Sequence, residues 1–236
     1  MMTTVLFDLD KTLLKIDEDN FAKEYFYMLG QELSKQGLDV KQATDAVIKS
    51  VGAMYKNDGS MTNEDLFWKI FSEDTGVTKE DMLDDLTRFY LEDFLALEKH
   101  TKMIPEAVKT VKILKEKGYK LVLATNPLFP RQATLNRISW AGLSEDDFDL
   151  VTTYEGCSFS KPNPLYFSEV LETINVKPED TILIGNDLLE DNAASKIGVK
   201  CHFITDNIID RGLELTDFSH STFSEFLTEI ESWPQI

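Results

Sequence analysis

Two carboxylates one residue apart, Asp8 and Asp10, follow the short apolar run Thr4-Val5-Leu6-Phe7. A run this short, ended by charge, reads as a buried parallel strand opening into a loop. Open α/β sheets bind ligands beyond the carboxyl ends of their strands. Two carboxylates placed there repel each other unless something positive lies beside them. A divalent cation meets that need, and ligation by oxygen alone points to Mg²⁺ rather than zinc. Read more plainly, the same residues are an acidic loop in which Asp8 caps a helix. A second acidic pair, Asp187 and Asp191, stands four residues apart behind Thr181-Ile182-Leu183-Ile184-Gly185-Asn186. If a helix begins near Leu188, both lie on one side of its first turn. Acids complementing a helix dipole are common and account well for one of them, less well for two.

Elements of fixed type must position these residues. From Ile16 to His100 the pattern is helical without a strand. Phe21, Tyr25, Met28, Leu29 and Leu33 recur at helical spacing, and Ala43, Val47, Val51 and Met54 continue it. Thr62-Asn63-Glu64-Asp65 and Thr78-Lys79-Glu80-Asp81 read as capping boxes that open two more helices. Leu86, Tyr90, Phe94 and Leu97 form a stripe on the last of them. Four helices exceed what one crossover needs, so residues 16–102 are expected to form a separate all-helical domain. From Met103 helix and strand alternate. Pro105 opens a helix, and Tyr119 to Ala124 is a strand ending in Thr125-Asn126-Pro127. Leu150 to Tyr154 is expected to be a third strand. Asn163 and Pro164 start a helix directly after Lys161-Pro162. Thr181–Ile184 and Val199–Ile204 read as strands, the second holding Cys201 as a buried thiol. Asp206 to Asp217 reads as an acidic loop, and Phe223, Phe226, Leu227 and Ile230 mark a last amphipathic helix.

The run Asp8-Leu9-Asp10-Lys11-Thr12 resembles the first signature, Asp-x-Asp-x-Thr, of the phosphatase-type members of the haloacid dehalogenase (HAD) superfamily. Thr125 after the second strand, Lys161 before Pro162, and the Asp187/Asp191 pair after the fourth strand resemble its other three signatures, in the family's order. The resemblance implies a Rossmann-like α/β core, a parallel sheet with helices on both faces, formed by residues 1–15 and 103–236. Residues 16–102 would be a helical cap of the first type. It also implies the chemistry: a Mg²⁺-dependent phosphatase hydrolysing a small phosphomonoester through an aspartyl-phosphate. Asp8 would attack phosphorus, and Asp10 would protonate the leaving oxygen and then activate water. Thr125, Asn126 and Lys161 would hold the phosphoryl oxygens, a hydroxyl doing so without added charge. Asp8, Asp10, Asp187 and Asp191 would hold the metal. A sugar-phosphate mutase shares all these residues, a dehalogenase normally lacks the second aspartate, and a silent phosphoester-binding module normally lacks the nucleophile. The Asp10-Lys11-Thr12 run is also similar to that of P-type ion pumps, which would move the nucleophile to Asp10.

The 236 residues carry 42 acidic against 24 basic side chains, a formal charge of −18. Such a surface repels nucleic acid and anionic lipid, so neither is an expected partner. A small phosphorylated metabolite would meet the same field, which makes individual cations informative. Lys15, Lys23 and Arg131 are candidate contacts for a second anionic group of the substrate. Cys157 and Cys201 lie far apart and the three histidines are scattered, so no zinc site or disulfide framework is expected. Without a signal peptide or a bilayer-length apolar run, a cytoplasmic location is expected. Oligomeric state is not written in the sequence.

Overall fold

The structure is a computed structural model that describes all residues from Met1 to Ile236. Six strands form one parallel sheet: β1 (Thr4–Phe7), β4 (Lys120–Leu123), β5 (Leu150–Val151), β6 (Thr181–Gly185), β7 (Lys200–Ile204) and β8 (Ser219–Ser221). Their order is β5-β4-β1-β6-β7-β8, with β1 in the middle between two parallel partners. Alternation along the strands sends side chains to two faces. Val5 and Phe7 of β1 point to one and Leu6 to the other; Leu121 and Leu123 of β4 part from Val122 in the same way. On the second face, α7 (Pro164–Ile174) and a 3₁₀ stretch Asp191–Ile197 cover a cluster of twelve buried residues. The first face carries α5 (Pro105–Glu116), α6 (Arg131–Trp140) and α8 (Phe223–Glu231).

Between β1 and α5 the chain makes β2 (Leu14–Ile16), α1 (Glu18–Ser34), α2 (Val40–Met54), α3 (Asn63–Thr75), α4 (Lys79–Leu91), a 3₁₀ stretch Asp93–His100 and β3 (Thr101–Met103). β2 and β3 pair antiparallel, Leu14 against Met103 and Ile16 against Thr101, so the two chain crossings into the helical segment are zipped together. That ribbon has no helical or long apolar signal in the sequence. The helical segment does not have a core of its own. A single cluster of 36 buried residues runs from Val5 and Phe7 through Leu9 and Leu13 to Phe21, Leu29, Val47, Phe71 and Met82. Phe94 links the two parts: its ring stacks on Trp140 of α6 at 5.4 Å and meets Phe21 of α1 edge-on at 6.0 Å.

Several sequence-based expectations are corrected. The third strand is two residues long, not five; the Thr152 amide still donates to the Leu123 carbonyl of β4, but Tyr154 has turned to the backbone of Phe129 and Glu64. No α-helix begins at Leu188; a turn leads into the 3₁₀ stretch at Asp191. The stripe holding Phe94 and Leu97 lies beyond the end of α4 at Leu91. Of the two expected capping boxes, only Thr78 with Asp81 is reciprocal, while Thr62 caps α3 with its hydroxyl alone. Cys201 is partly rather than fully buried, and β8 was not foreseen. No helix is long and apolar enough to cross a membrane.

Candidate active site

The carboxyl ends of β1, β4 and β6 and the loop before α7 converge. Behind Asp8 the backbone is drawn into a tight loop: the Leu9 carbonyl accepts from the amides of Thr12, Leu13 and Leu14 at 3.2, 2.8 and 2.9 Å. Lys11 takes a left-handed conformation there (φ 64°). The Thr12 hydroxyl donates to Asn186 Oδ1 at 3.1 Å, tying this loop to the end of β6.

Lys161 is the centre of the site. Its Nζ donates to Asp8 Oδ1 at 2.8 Å and to Asp191 Oδ1 at 2.6 Å, and its side chain is 1% exposed. Burial opposes its charge, but Asp191 and Asp8 outweigh that and hold the ammonium well above its ordinary value. The peptide between Lys161 and Pro162 is cis. The Lys161 amide donates to Asn126 Oδ1 at 3.2 Å, and Asn126 Nδ2 reaches Glu190. Thr125 is fixed through its carbonyl, which accepts from the hydroxyls of Thr152 and Tyr166, both at 2.8 Å. Thus Asp8, Thr125, Asn126 and Lys161 are brought together.

The second acidic pair divides its work. Asp191 turns back over Gly185, and its Oδ2 accepts from the amides of Asn186 and Asp187, both at 3.0 Å. A Cβ on residue 185 would lie 2.2 Å from that oxygen, so the glycine serves this close approach rather than a sharp turn. With Oδ1 on Lys161, Asp191 has both oxygens engaged. Asp187 Oδ1 accepts from the amides of Leu189 and Glu190, and its Oδ2 accepts from Arg211 Nε at 2.9 Å and Nη2 at 2.8 Å. The two aspartates therefore face different partners rather than one point. Arg211 arrives because Ile209 pairs with the backbone of Asn186 and Leu188, so the stretch read as an acidic loop delivers a cation. Its signal was available: Arg211 is the only cation between Asp206 and Asp217, and Gly212 follows it.

Asp10 is separate again. Its Oδ2 accepts from Nη1 of Arg137, a side chain on α6 that is almost wholly buried. No motif in the sequence singles out Arg137. Yet α6 has no wide apolar stripe, and a packed helix lacking one must bury polar side chains, here Thr134, Asn136 and Arg137.

Five carboxylates (Asp8, Asp10, Asp187, Glu190, Asp191) thus share three cations (Arg137, Lys161, Arg211). Burial, together with the charges of Asp191 and Asp10 and against that of Lys161, pushes the Asp8 carboxyl from 3.8 up to about 8. A divalent cation would balance the excess, and the donors are all oxygen, which suits a hard ion. No three acidic side chains converge on one point. Asp8 and Asp187 are the side chains available to such an ion, Asp187 by release of the half-exposed Arg211.

Apart from Glu18 of α1, which pairs with Lys11, the helical segment reaches this site through uncharged groups. Asn63, wholly buried at the start of α3, extends Nδ2 to the carbonyls of Pro127 and Phe159 (both 3.2 Å) and to Ser160 Oγ (3.1 Å). Its amide donates to the Cys157 carbonyl at 2.7 Å, and Asn57 Nδ2 donates to its Oδ1 at 2.9 Å. Of the candidate anion contacts, Lys15 and Lys23 are exposed. Arg131 pairs with Glu145 beside a cavity of about 330 Å³, lined also by Glu64, Trp68, Lys79 and Tyr154.

The family model of the haloacid dehalogenase-like hydrolases matches residues 2–197. The chain belongs to that family. It is 25% identical over 227 residues to the phosphoglycolate phosphatase of Aquifex aeolicus, covering 96% of this chain and 95% of that one. It is 27% identical over 193 residues to the glyceraldehyde 3-phosphate phosphatase of Methanothermobacter thermautotrophicus, covering 81% and 80%. The crystal structure of a HAD phosphatase from Thermococcus onnurineus superposes over the full length of both chains with a TM-score of 0.62 at 24% identity, which speaks for the fold. This HAD hydrolase is therefore an enzyme, with the α/β architecture its sequence implied.

Proposed function

We propose that this HAD hydrolase is a Mg²⁺-dependent phosphatase acting on a small phosphomonoester, with Asp8 as the nucleophile. The observation that carries the reading is Lys161 Nζ held between Asp8 and Asp191 at hydrogen-bonding distance from both. A lysine fixed beside a nucleophilic carboxylate is placed to hold the oxygens of a phosphoryl group as it transfers. Asp8 attacks phosphorus, the bond from phosphorus to the ester oxygen breaks, and Asp10 protonates that oxygen as it leaves. Asp10 then takes a proton from the water that opens the acyl phosphate, which returns Asp8 and releases inorganic phosphate. Thr125 and the Asn126 loop meet the remaining phosphoryl oxygens. Asp8, Asp187 and the Asp10 carbonyl would hold the cation, with Asp191 acting through Lys161 and the Asn186 and Asp187 amides. When bound, the cation supplies positive charge against Asp8 and the phosphoryl group.

The named activities of two curated relatives support small phosphoesters carrying a carboxylate or an aldehyde as first substrates to try, and a third relative is named as a pyrophosphatase. A screen of such esters with purified protein tests this. Turnover should appear with Mg²⁺, vanish in EDTA and return when Mg²⁺ is restored. Undiminished turnover in chelator would sink the metal assignment, and no turnover of any phosphoester would sink the reading.

A further inference from the structure

We propose that Arg137 is a positioning residue for Asp10, fixing which carboxylate oxygen faces the reacting ester; the proposal rests on the reading of Asp10 as proton donor and acceptor. The two oxygens of Asp10 have unlike surroundings. Oδ2 is held by Arg137 Nη1, while Oδ1 is buried with no partner in the protein. An orphaned buried carboxylate oxygen is costly unless something in the working enzyme uses it. A carboxylate that donates a proton to a leaving oxygen, and later takes one from water, needs one oxygen free and aimed while the other is anchored.

Arg137 is built as an anchor. It is 1% exposed, its Nε donates to the Ala133 carbonyl (3.4 Å) and its Nη2 to Thr134 Oγ1 (3.3 Å). The Phe129 ring lies 4.5 Å under the guanidinium. Tyr25 of α1 packs on Phe129 at 5.3 Å, so the stack is closed from the helical segment. A planar, permanently charged group with a ring against one face and hydrogen-bond partners on Nε, Nη1 and Nη2 has one orientation, and it passes that orientation to Asp10. The other cations are claimed elsewhere, Lys161 by Asp8 and Asp191 and Arg211 by Asp187. Without Arg137, Asp10 would have no fixed partner and could turn toward Lys161.

A double-mutant cycle tests this with Mg²⁺-loaded enzyme, using Arg137→Met, Arg137→Lys, Asp10→Asn and Arg137→Met/Asp10→Asn on the best alkyl phosphate found and on 4-nitrophenyl phosphate. Arg137→Met should lower kcat on the alkyl ester about 10²-fold, the scale of lost acid–base catalysis, and move KM less than 3-fold. The loss should be smaller when single-turnover phosphoryl transfer is followed with the aryl ester, whose leaving group needs no proton. Arg137→Lys should recover part of the rate. In the Asp10→Asn background the Arg137→Met change should cost less than 3-fold more. If the two losses multiply instead, or Arg137→Met lowers both esters equally, Arg137 only supports the fold and the proposal is overturned. If Arg137→Met does not fold, the cycle is run with Arg137→Lys, which must show the same dependence on leaving group. Failure of the underlying reading looks different: Asp10→Asn itself would then leave turnover of the alkyl ester intact.

Discussion

The sheet edge and the helical segment both border the site, but they contribute opposite kinds of group. The site's ion pairs with a buried member join side chains from the sheet edge, the loops beyond it, or α6: Lys161 with Asp8 and Asp191, Arg137 with Asp10, Arg211 with Asp187. The helical segment's one charged contact there, Glu18 with Lys11, is more exposed. The helical segment contributes the amide of Asn63 and aromatic rings such as Tyr25, whose hydroxyl pairs with that of Tyr90 rather than with any charged group. Charges held in a dry, rigid place stabilise developing charge without reorganising, whereas neutral hydrogen bonds and ring packing fix shape. The contrast assigns the chemistry to the sheet edge, and fit and closure to the helices. It also ranks what substitutions should do.

The largest effect belongs to Asp8. Asp8→Asn keeps shape and burial but removes the proposed nucleophile, so kcat should fall on the order of 10⁴-fold or more. Rapid quench followed by intact-mass measurement should find no phosphate on this variant, and should find it accumulating on Asp10→Asn with an aryl phosphate. Label on Asp8→Asn and none on Asp10→Asn would reverse the two roles. Lys161→Met comes next. It leaves Asp8 and Asp191 buried without their shared cation, and breaking a buried pair from one side costs about 3–5 kcal/mol. Urea unfolding should show that loss, and turnover should fall on the order of 10²-fold or more. A Lys161→Met enzyme as stable and active as the parent would break the contrast.

Asn63 probes the other side. Asn63→Ala removes the side-chain bonds to Pro127, Phe159 and Ser160 and strands Asn57 Nδ2, at a cost of about 1–3 kcal/mol. These acceptors sit next to Asn126 and Lys161 in the chain, so KM should rise more than kcat falls. A kcat loss as deep as that of Lys161→Met would mean that the helical segment takes part in the chemistry.

The same contrast explains what the sequence discloses. Asp8, Thr125 and Asp187 follow short apolar strands, and strand ends in a parallel sheet are brought together by topology alone, so their meeting is legible before any coordinates; Lys161, in the loop before α7, was legible only through its place before Pro162. Arg137 and Arg211 are not legible in this way. Arg137 is buried because α6 lacks an apolar stripe, and Arg211 reaches Asp187 only through backbone pairing of Ile209 with residues 186–188. Such meetings depend on where irregular chain returns, which periodicity does not encode. Asn63 was read as part of a cap signal, and its wider reach across to Pro127 depends on how α3 docks. The shared core of 36 residues was hidden for a related reason: Phe94 and Leu97 gave a helical stripe, but a stripe does not say which surface it will meet.

The smallest effect separates charged from neutral contacts by pH. Asp8 titrates near 8 in the folded chain, chiefly because burial penalises its charge, against 3.8 when solvated. Between these values the folded protein keeps a proton that the unfolded chain has lost. Stability falls with rising pH wherever the folded state binds more protons. The Asp8 contribution is therefore fully present near pH 4 and is lost as pH climbs toward 8. Asp8→Asn cannot titrate, so in chelated buffer its stability relative to the parent should improve steadily from pH 5 to pH 8. Groups remote from Asp8 titrate equally in the two proteins and cancel in the difference. Urea unfolding at pH 5, 6.5 and 8 reads it directly. Added Mg²⁺ should flatten the difference, since a cation favours the ionised carboxylate. The cost of Asn63→Ala, by contrast, should be the same at all three pH values, because no charge is involved. If the Asp8→Asn and parent curves run parallel, Asp8 is ionised throughout and Lys161 outweighs its burial.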